Sequence, residues 1–249
     1  MSSSSLISYL LFPLLILFYA QKTIGSIRSL FNIEHFLFVA LGTLLLLTFV
    51  LGFSRILTIS SVFLGRTLGR KRSGYKLVVK DLFELSRAKN RGEQFFQKKS
   101  GEIGDLFLKD ALDLLEWAKN EVSVDELKSL LETRANTFHE RYLREIKEFR
   151  SFMNLPLYLG VAAALLEMLT YGRGFMLSNV ILPLLYGVFL RIYIFVPVSS
   201  QLEQLANEDY ISRQIVVEGA VLLHKNKPSN YLEEKLNSFV LPNERYKHT

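Results

Sequence analysis

The chain has 249 residues, 49% of them hydrophobic and 22% charged, with a formal net charge of +6 and no cysteine. No cysteine means no disulfide framework and no thiolate zinc site. The charge is nearly absent from Met1 to Ala20, Phe36 to Phe53 and Leu155 to Val198 but dense from Arg66 to Arg150 and after Gln201, a segregation that excludes a soluble enzyme and fits lipid-spanning segments joined by water-facing ones.

The first apolar run, Leu6 to Ala20, is shorter than the roughly 20 residues a hydrocarbon core asks for, and spans it with some bilayer thinning. A cleaved signal peptide is the rival reading; the serine-rich start without a basic region and Pro13 in mid-run speak against it. The second run, Phe36 to Phe53, is extended past Arg55 by Ile56 to Leu64. Beyond it Arg66, Arg70, Lys71 and Arg72 form a basic collar suited to lipid headgroups on the cytoplasmic side. The basic runs lack interleaved aromatics, so no nucleic acid is expected. The stretch from Gly65 to Lys71 is not a phosphate loop: its glycines are one residue too close and Arg70 separates Gly69 from Lys71.

Leu106, Phe107, Ala111, Leu114, Leu115 and Ala118 predict a helix within Ile103 to Asn120. Asp110 and Asp113 sit on its solvated face. Ser123 and Glu126 have the spacing of a capping box. The helix they open carries the stripe Leu127, Leu131, Ala135, Phe138, Tyr142, Ile146 and Phe149. No breaker is apparent before the third span, Leu155 to Thr170, so this helix is expected to run straight into it. The fourth span is Leu177 to Val198, continued by a helix to Leu223; Pro228 breaks the chain, and Asn230 with Glu233 is expected to cap a last helix through Leu241.

The fold class is therefore an all-α membrane protein with four transmembrane helices. Residues 1–64 hold spans one and two, 65–153 a helical cytoplasmic domain, 154–198 spans three and four, and 199–249 a cytoplasmic helical tail. The links Gln21 to His35 and Tyr171 to Ser178 carry few basic residues, which puts the N-terminus, the middle segment and the tail in the cytoplasm. His35, His139, His224 and His248 are scattered without ligand spacing. No metal, cofactor or catalytic residue is expected.

Glu167 and Arg191 are charges within spans, where ions are costly. Helical rise places Arg191 level with Tyr158, about 13 Å below Glu167, so a pair within one chain is not expected. Glu167 reads as an interfacial residue. Arg191 either snorkels to the cytoplasmic surface or faces the bundle and meets an acidic residue of a partner.

Ordered pieces run through the chain: Leu41, Gly42 and Thr43; Ala88, Lys89, Asn90, Arg91 and Gly92; Asp105, Leu106, Phe107 and Leu108; Gly160 to Leu169; Tyr186 and Gly187; Pro197; Leu202 to Glu208; Glu218 and Gly219; Pro228; Leu236. Their sequence and order resemble the flagellar stator A subunits (the MotA/PomA type). The resemblance implies a homopentamer in the bacterial inner membrane around a MotB-like single-span B subunit, whose aspartate passes ions while the A ring turns and its cytoplasmic charges push a flagellar rotor protein. It implies ion-path or gating positions at Pro156, Gly160, Val161, Leu184, Arg191 and Pro197, and rotor-contact positions at Lys89, Arg91 and Gln97.

The chain departs from the family pattern. Val161, Pro183 and Leu184 stand where the family has hydroxyls, which argues against a sodium site, because hard cations need oxygen ligands, and leaves protons open. Gln97 replaces an acid. Pro156 is either the family's displaced third-span proline or the first turn of a span starting there. Arg191 replaces a small residue, and a fixed positive charge beside a cation path raises the barrier to protons. Two other readings follow: a non-conducting paralogue that forms a structural ring, and an energy-transducing subunit of the three-span TolQ/ExbB type, should the first segment be cleaved.

Overall fold

A computed structural model describes residues 18, 22, 32–67, 74–117, 122–169, 177–240, 242 and 245. The first apolar run and most of the basic collar lie outside them. The elements are α1 (Ile33–Leu51), α2 (Phe53–Thr67), α3 (Gly74–Arg91), α4 (Glu93–Gly101), α5 (Leu106–Trp117), α6 (Val124–Ser151), α7 (Leu155–Leu169), α8 (Leu177–Leu190), a π turn (Arg191–Phe195), α9 (Val196–His224) and α10 (Ser229–Asn237). No strand occurs among the described residues, so the all-helical expectation holds. Three helical stretches there are long and apolar enough to cross a membrane: Ile33–Leu51, Val124–Leu169 and Asn179–His224. The chain divides into two compact units, Met1–Lys71 with Arg144–Glu203 and Arg72–Leu143 with Gln204–Thr249.

In the first unit, Asn32 caps α1 by accepting from the amides of Glu34 and His35 at 3.0 and 3.3 Å, satisfying donors that a helix start leaves orphaned. α1 buries His35, Val39, Thr43 and Leu47, a stripe at intervals of four that forms one helix face. Leu41, Leu45 and Phe49 are exposed on the apolar remainder, as lipid contact requires. The second run is not one helix: Gly52 adopts φ +82° between α1 and α2, a left-handed conformation open to a residue without Cβ. Leu47, Phe149, Phe195 and Val198 form an apolar cluster, with Phe149 and Phe195 stacked at 5.8 Å. Arg55 pairs with Glu148 at 3.1 Å, and Arg150 with Glu203 at 2.7 Å.

Two prolines shape the helices of this unit. The long middle helix does not run unbroken into the third span, contrary to the expectation above. α6 ends at Ser151, and Phe152 and Met153 make tight bonds to the carbonyls of Phe149 and Arg150 before α7 starts. Pro156 is the breaker: it has no N–H for the Phe152 carbonyl, which takes the Leu155 amide at 3.0 Å instead. Pro197 likewise offers no N–H to Tyr193. One residue earlier the ladder has slipped, and the Val196 amide donates to the Arg191 carbonyl five residues back. The apolar stretch Asn179–His224 therefore carries a π turn from Arg191 to Phe195, a feature often found at functional sites.

In the second unit, Val79, Leu82, Leu85, Leu108, Leu131, Ile215, Leu232 and Leu236 are fully buried in one core. Gly219 lets α9 approach α3: a Cβ there would lie 2.5 Å from the Leu82 side chain. The capping box forms as the spacing predicts, with the Ser123 amide donating to Glu126 at 2.9 Å and the Glu126 amide to Ser123 Oγ at 3.2 Å. The stripe behind it is buried at Leu127, Leu131 and Ala135 but exposed at Phe138 and Tyr142. The last helix differs from expectation. α10 begins after Pro228 with no side-chain cap and ends at Asn237, because Ser229 and Asn230 already lie inside its first turn.

Candidate functional site

The membrane unit is built on a close crossing of α7 and α8. A Cβ on Gly160 would lie 2.5 Å from the Pro183 carbonyl oxygen, and one on Gly187 would lie 2.5 Å from that of Pro156. Backbone meets backbone at both points, which only glycine permits. Pro156 and Gly160 are thus buried in the seam, and Leu184, half-buried, follows Pro183 along it. Val161 is exposed on a different face of α7. Of the ion-path candidates, Pro156, Gly160 and Leu184 come together and Val161 does not join them within one chain.

Arg191 and Pro197 bracket the π turn. Arg191 is half-buried, its Nε is buried without a hydrogen-bond partner among the described residues, and it makes no ion pair among them. Burying such a donor is unfavourable unless a polar group meets it.

Glu167 meets His35, with Nε2 and Oε1 2.9 Å apart. This contact is not among the sequence expectations. The signal for it is the order of the helices: α1 and α7 pack antiparallel, so a residue in the first turn of α1 is level with one in the last turn of α7. Next to it the Asn32 amide donates to the Tyr186 hydroxyl at 2.8 Å, and Phe36 packs edge-on against the Tyr186 ring at 5.6 Å.

In the second unit, Lys89 and Gln97 both line a cavity of about 340 Å³ with Phe96, Lys109, Asp113 and His224. Lys89 donates from Nζ to the Leu223 carbonyl at 2.6 Å. The same carbonyl takes the Asn226 amide at 3.2 Å, so Lys89 reinforces the end of α9 and has a structural task. Arg91 is exposed and lies outside this cavity, lining a shallow hollow with Arg87, Asn90 and Ser229. Gly92, at φ +127°, turns α3 into α4. The turn is braced by Lys99, which bonds Glu84 at 2.7 Å and Glu102 at 3.1 Å. The Lys99 ammonium holds the Glu84 carboxyl below its usual range, and burial pushes Asp81 up. No group of three or more metal-ligating side chains occurs among the described residues.

No family model matches the chain. It is 24% identical over 187 residues to the motility protein A of Borreliella burgdorferi, covering 70% of each chain. A chain in the structure of C. jejuni MotAB superposes with a TM-score of 0.79 at 16% identity, covering 98% of this chain and 97% of that one. One in the flagellar MotAB stator complex from Bacillus subtilis gives 0.76 at 17% identity over 98% of both. The resemblance carried by the ordered motifs is thus joined by similarity in sequence to one motility protein A and similarity in fold to chains of MotAB stator structures.

Proposed function

We propose that the chain is the A-type subunit of an ion-driven stator, a multi-pass protein of the bacterial inner membrane with four spans and both termini in the cytoplasm. Copies of it form a ring, a pentamer, around a MotB-like single-span partner, and ion flow at that partner turns the ring to push a flagellar rotor. The observation that carries this reading is the superposition on stator chains over 98% of the sequence, which extends through the cytoplasmic unit as well as the spans. The ion is a proton. Val161 and Leu184 offer no oxygen ligands where a sodium ion would need them, whereas protons travel along water.

A second reading is favoured by Arg191: a non-conducting ring. Its guanidinium emerges from the π turn of the fourth span, and a fixed cation lining a narrow path opposes protons. One experiment separates the two: proton flux into cells expressing the chain with its single-span partner, wild type against Arg191→Ala. Flux in the wild type that vanishes when the partner's aspartate is replaced supports the motor. An assembled complex silent in both forms supports the ring, and flux appearing only in Arg191→Ala identifies the arginine as a plug.

A further inference from the structure

We infer that Arg191 is the docking point for a carboxylate that a different polypeptide chain carries into the apolar layer. The inference rests on the reading that a single-span partner joins this chain; it does not require that any ion flows.

Arg191 opens the π turn, half-buried, within the apolar stretch Asn179–His224. No hydrogen bond, ion pair or ring contact reaches its guanidinium among the described residues, and its Nε is buried. An arginine keeps its charge inside a protein, and a cation shielded from water without an anion is strongly unfavourable.

The helix register fixes its height. Gly160 meets Pro183 and Gly187 meets Pro156, so one turn further along, Arg191 is level with Phe152 and not with Tyr158, where helical rise from the loop puts it. The stacking of Phe195 on Phe149 continues the same register. The acids of this unit are Glu34, Glu145, Glu148, Glu167 and Glu203. Glu145 and Glu148 hold Arg55, and Glu203 holds Arg150. Glu167 meets His35 and lies about 22 Å farther along α7, with Glu34 in the first turn of α1 at the same end. A second copy lying parallel in the membrane presents the same acids, engaged in the same way, at the same heights. The carboxylate therefore belongs to a different chain.

Nor does the side chain lead to the lipid headgroups around the Arg150–Glu203 pair. Cα–Cβ bonds in a helix tilt toward its N-terminus, which takes Arg191 away from that rim and into the apolar layer. Leu184, Val188 and Arg191 share one helix face at steps of four and three, and Val188 and Ile192 are exposed. The surface is apolar with one cation, and its complement is an apolar helix with one acid. The planar guanidinium fork takes a carboxylate through two parallel N–H···O bonds, and the pair so formed has no net charge.

The test has two parts. In lipid nanodiscs the full chain alone should be stabilised by Arg191→Met, its thermal midpoint rising by about 2 °C or more, because the orphan cation is gone. In co-expressing cells a tagged single-span partner should retain the wild-type chain and about tenfold less of Arg191→Met. Replacing the acid in the partner's span by its amide should have the same effect, and both changes together should cost no more than one. A midpoint that fails to rise overturns the inference without any partner. So does retention indifferent to Arg191→Met, and so do single losses that simply add. A partner that retains neither form removes the stator reading together with the inference. Retention that depends on Arg191 in a complex that conducts nothing removes the motor and keeps the pair.

Discussion

The carbonyl oxygen of Pro183 occupies the place that a side chain on Gly160 would need, 2.5 Å from the Cβ position. The same exchange recurs a turn away, between Gly187 and the carbonyl of Pro156. Between apolar helices in lipid there is no hydrophobic drive to associate, and close backbone packing takes its place. Gly160→Ala must therefore push α7 and α8 apart. We expect a loss of about 1–3 kcal/mol, read as a lower thermal midpoint of the purified chain in detergent. Val161→Ala beside it, at an exposed position, should leave that midpoint little changed.

Lys89 separates a structural from a contact role. Its bond to the Leu223 carbonyl predicts that Lys89→Met frees the last turn of α9, with faster hydrogen exchange there. Arg91→Ala, at an exposed position, should leave that exchange unaltered. If both variants lose motility and only Lys89→Met loosens α9, rotor contact is assigned to Arg91 alone.

The capping box gives a local prediction. Ser123→Ala removes the acceptor for the Glu126 amide, and caps of this kind contribute about 0.5–2 kcal/mol. Hydrogen exchange should rise in the first turn of α6 and stay unchanged in α7.

The brace at the α3–α4 turn depends on pH. The bond from Lys99 keeps Glu84 below its usual 4.5, so the folded state favours the ionised carboxylate. The stabilisation is complete above about pH 4.5 and is lost as the pH falls through the lower folded value. Exchange protection across Gly92 should drop in acid, and Lys99→Met should flatten that dependence. Both side chains are partly solvated, so the loss at neutral pH should not exceed about 1 kcal/mol.

Much of this architecture is written in local pattern. The apolar runs place α1, α7 and α8, the Ser123–Glu126 spacing places the start of α6, and the ordered glycines and prolines point to the stator subunits. What local pattern hides is pairing between distant residues. His35 and Glu167 are 132 positions apart, and only the antiparallel order of their two helices, not any residue beside them, brings them level. Gly52 reads as one more small residue in an apolar run, and only its positive φ reveals that it divides the helix. Pro156 and Pro197 are visible in the sequence, but their effects run backward along the chain, because a missing N–H is felt four residues earlier, at Phe152 and at Tyr193, inside the π turn that opens at Arg191. Asn230 has a capping residue's chemistry and lies two positions past the cap, which falls on Pro228, so it cannot use it.

α1 is a rod of fixed length. Asn32 closes one end, Gly52 the other, and the 19 residues between them reach about 28 Å. A hydrocarbon core is about 30 Å thick, so the rod is just matched when upright and has no spare length for tilting. A thinner bilayer can be met by leaning; a thicker one must itself be compressed around α1. The protein should accordingly favour short-chain lipids, with the annulus beside Leu41, Leu45 and Phe49 setting the thickness of membrane in which it is most at home.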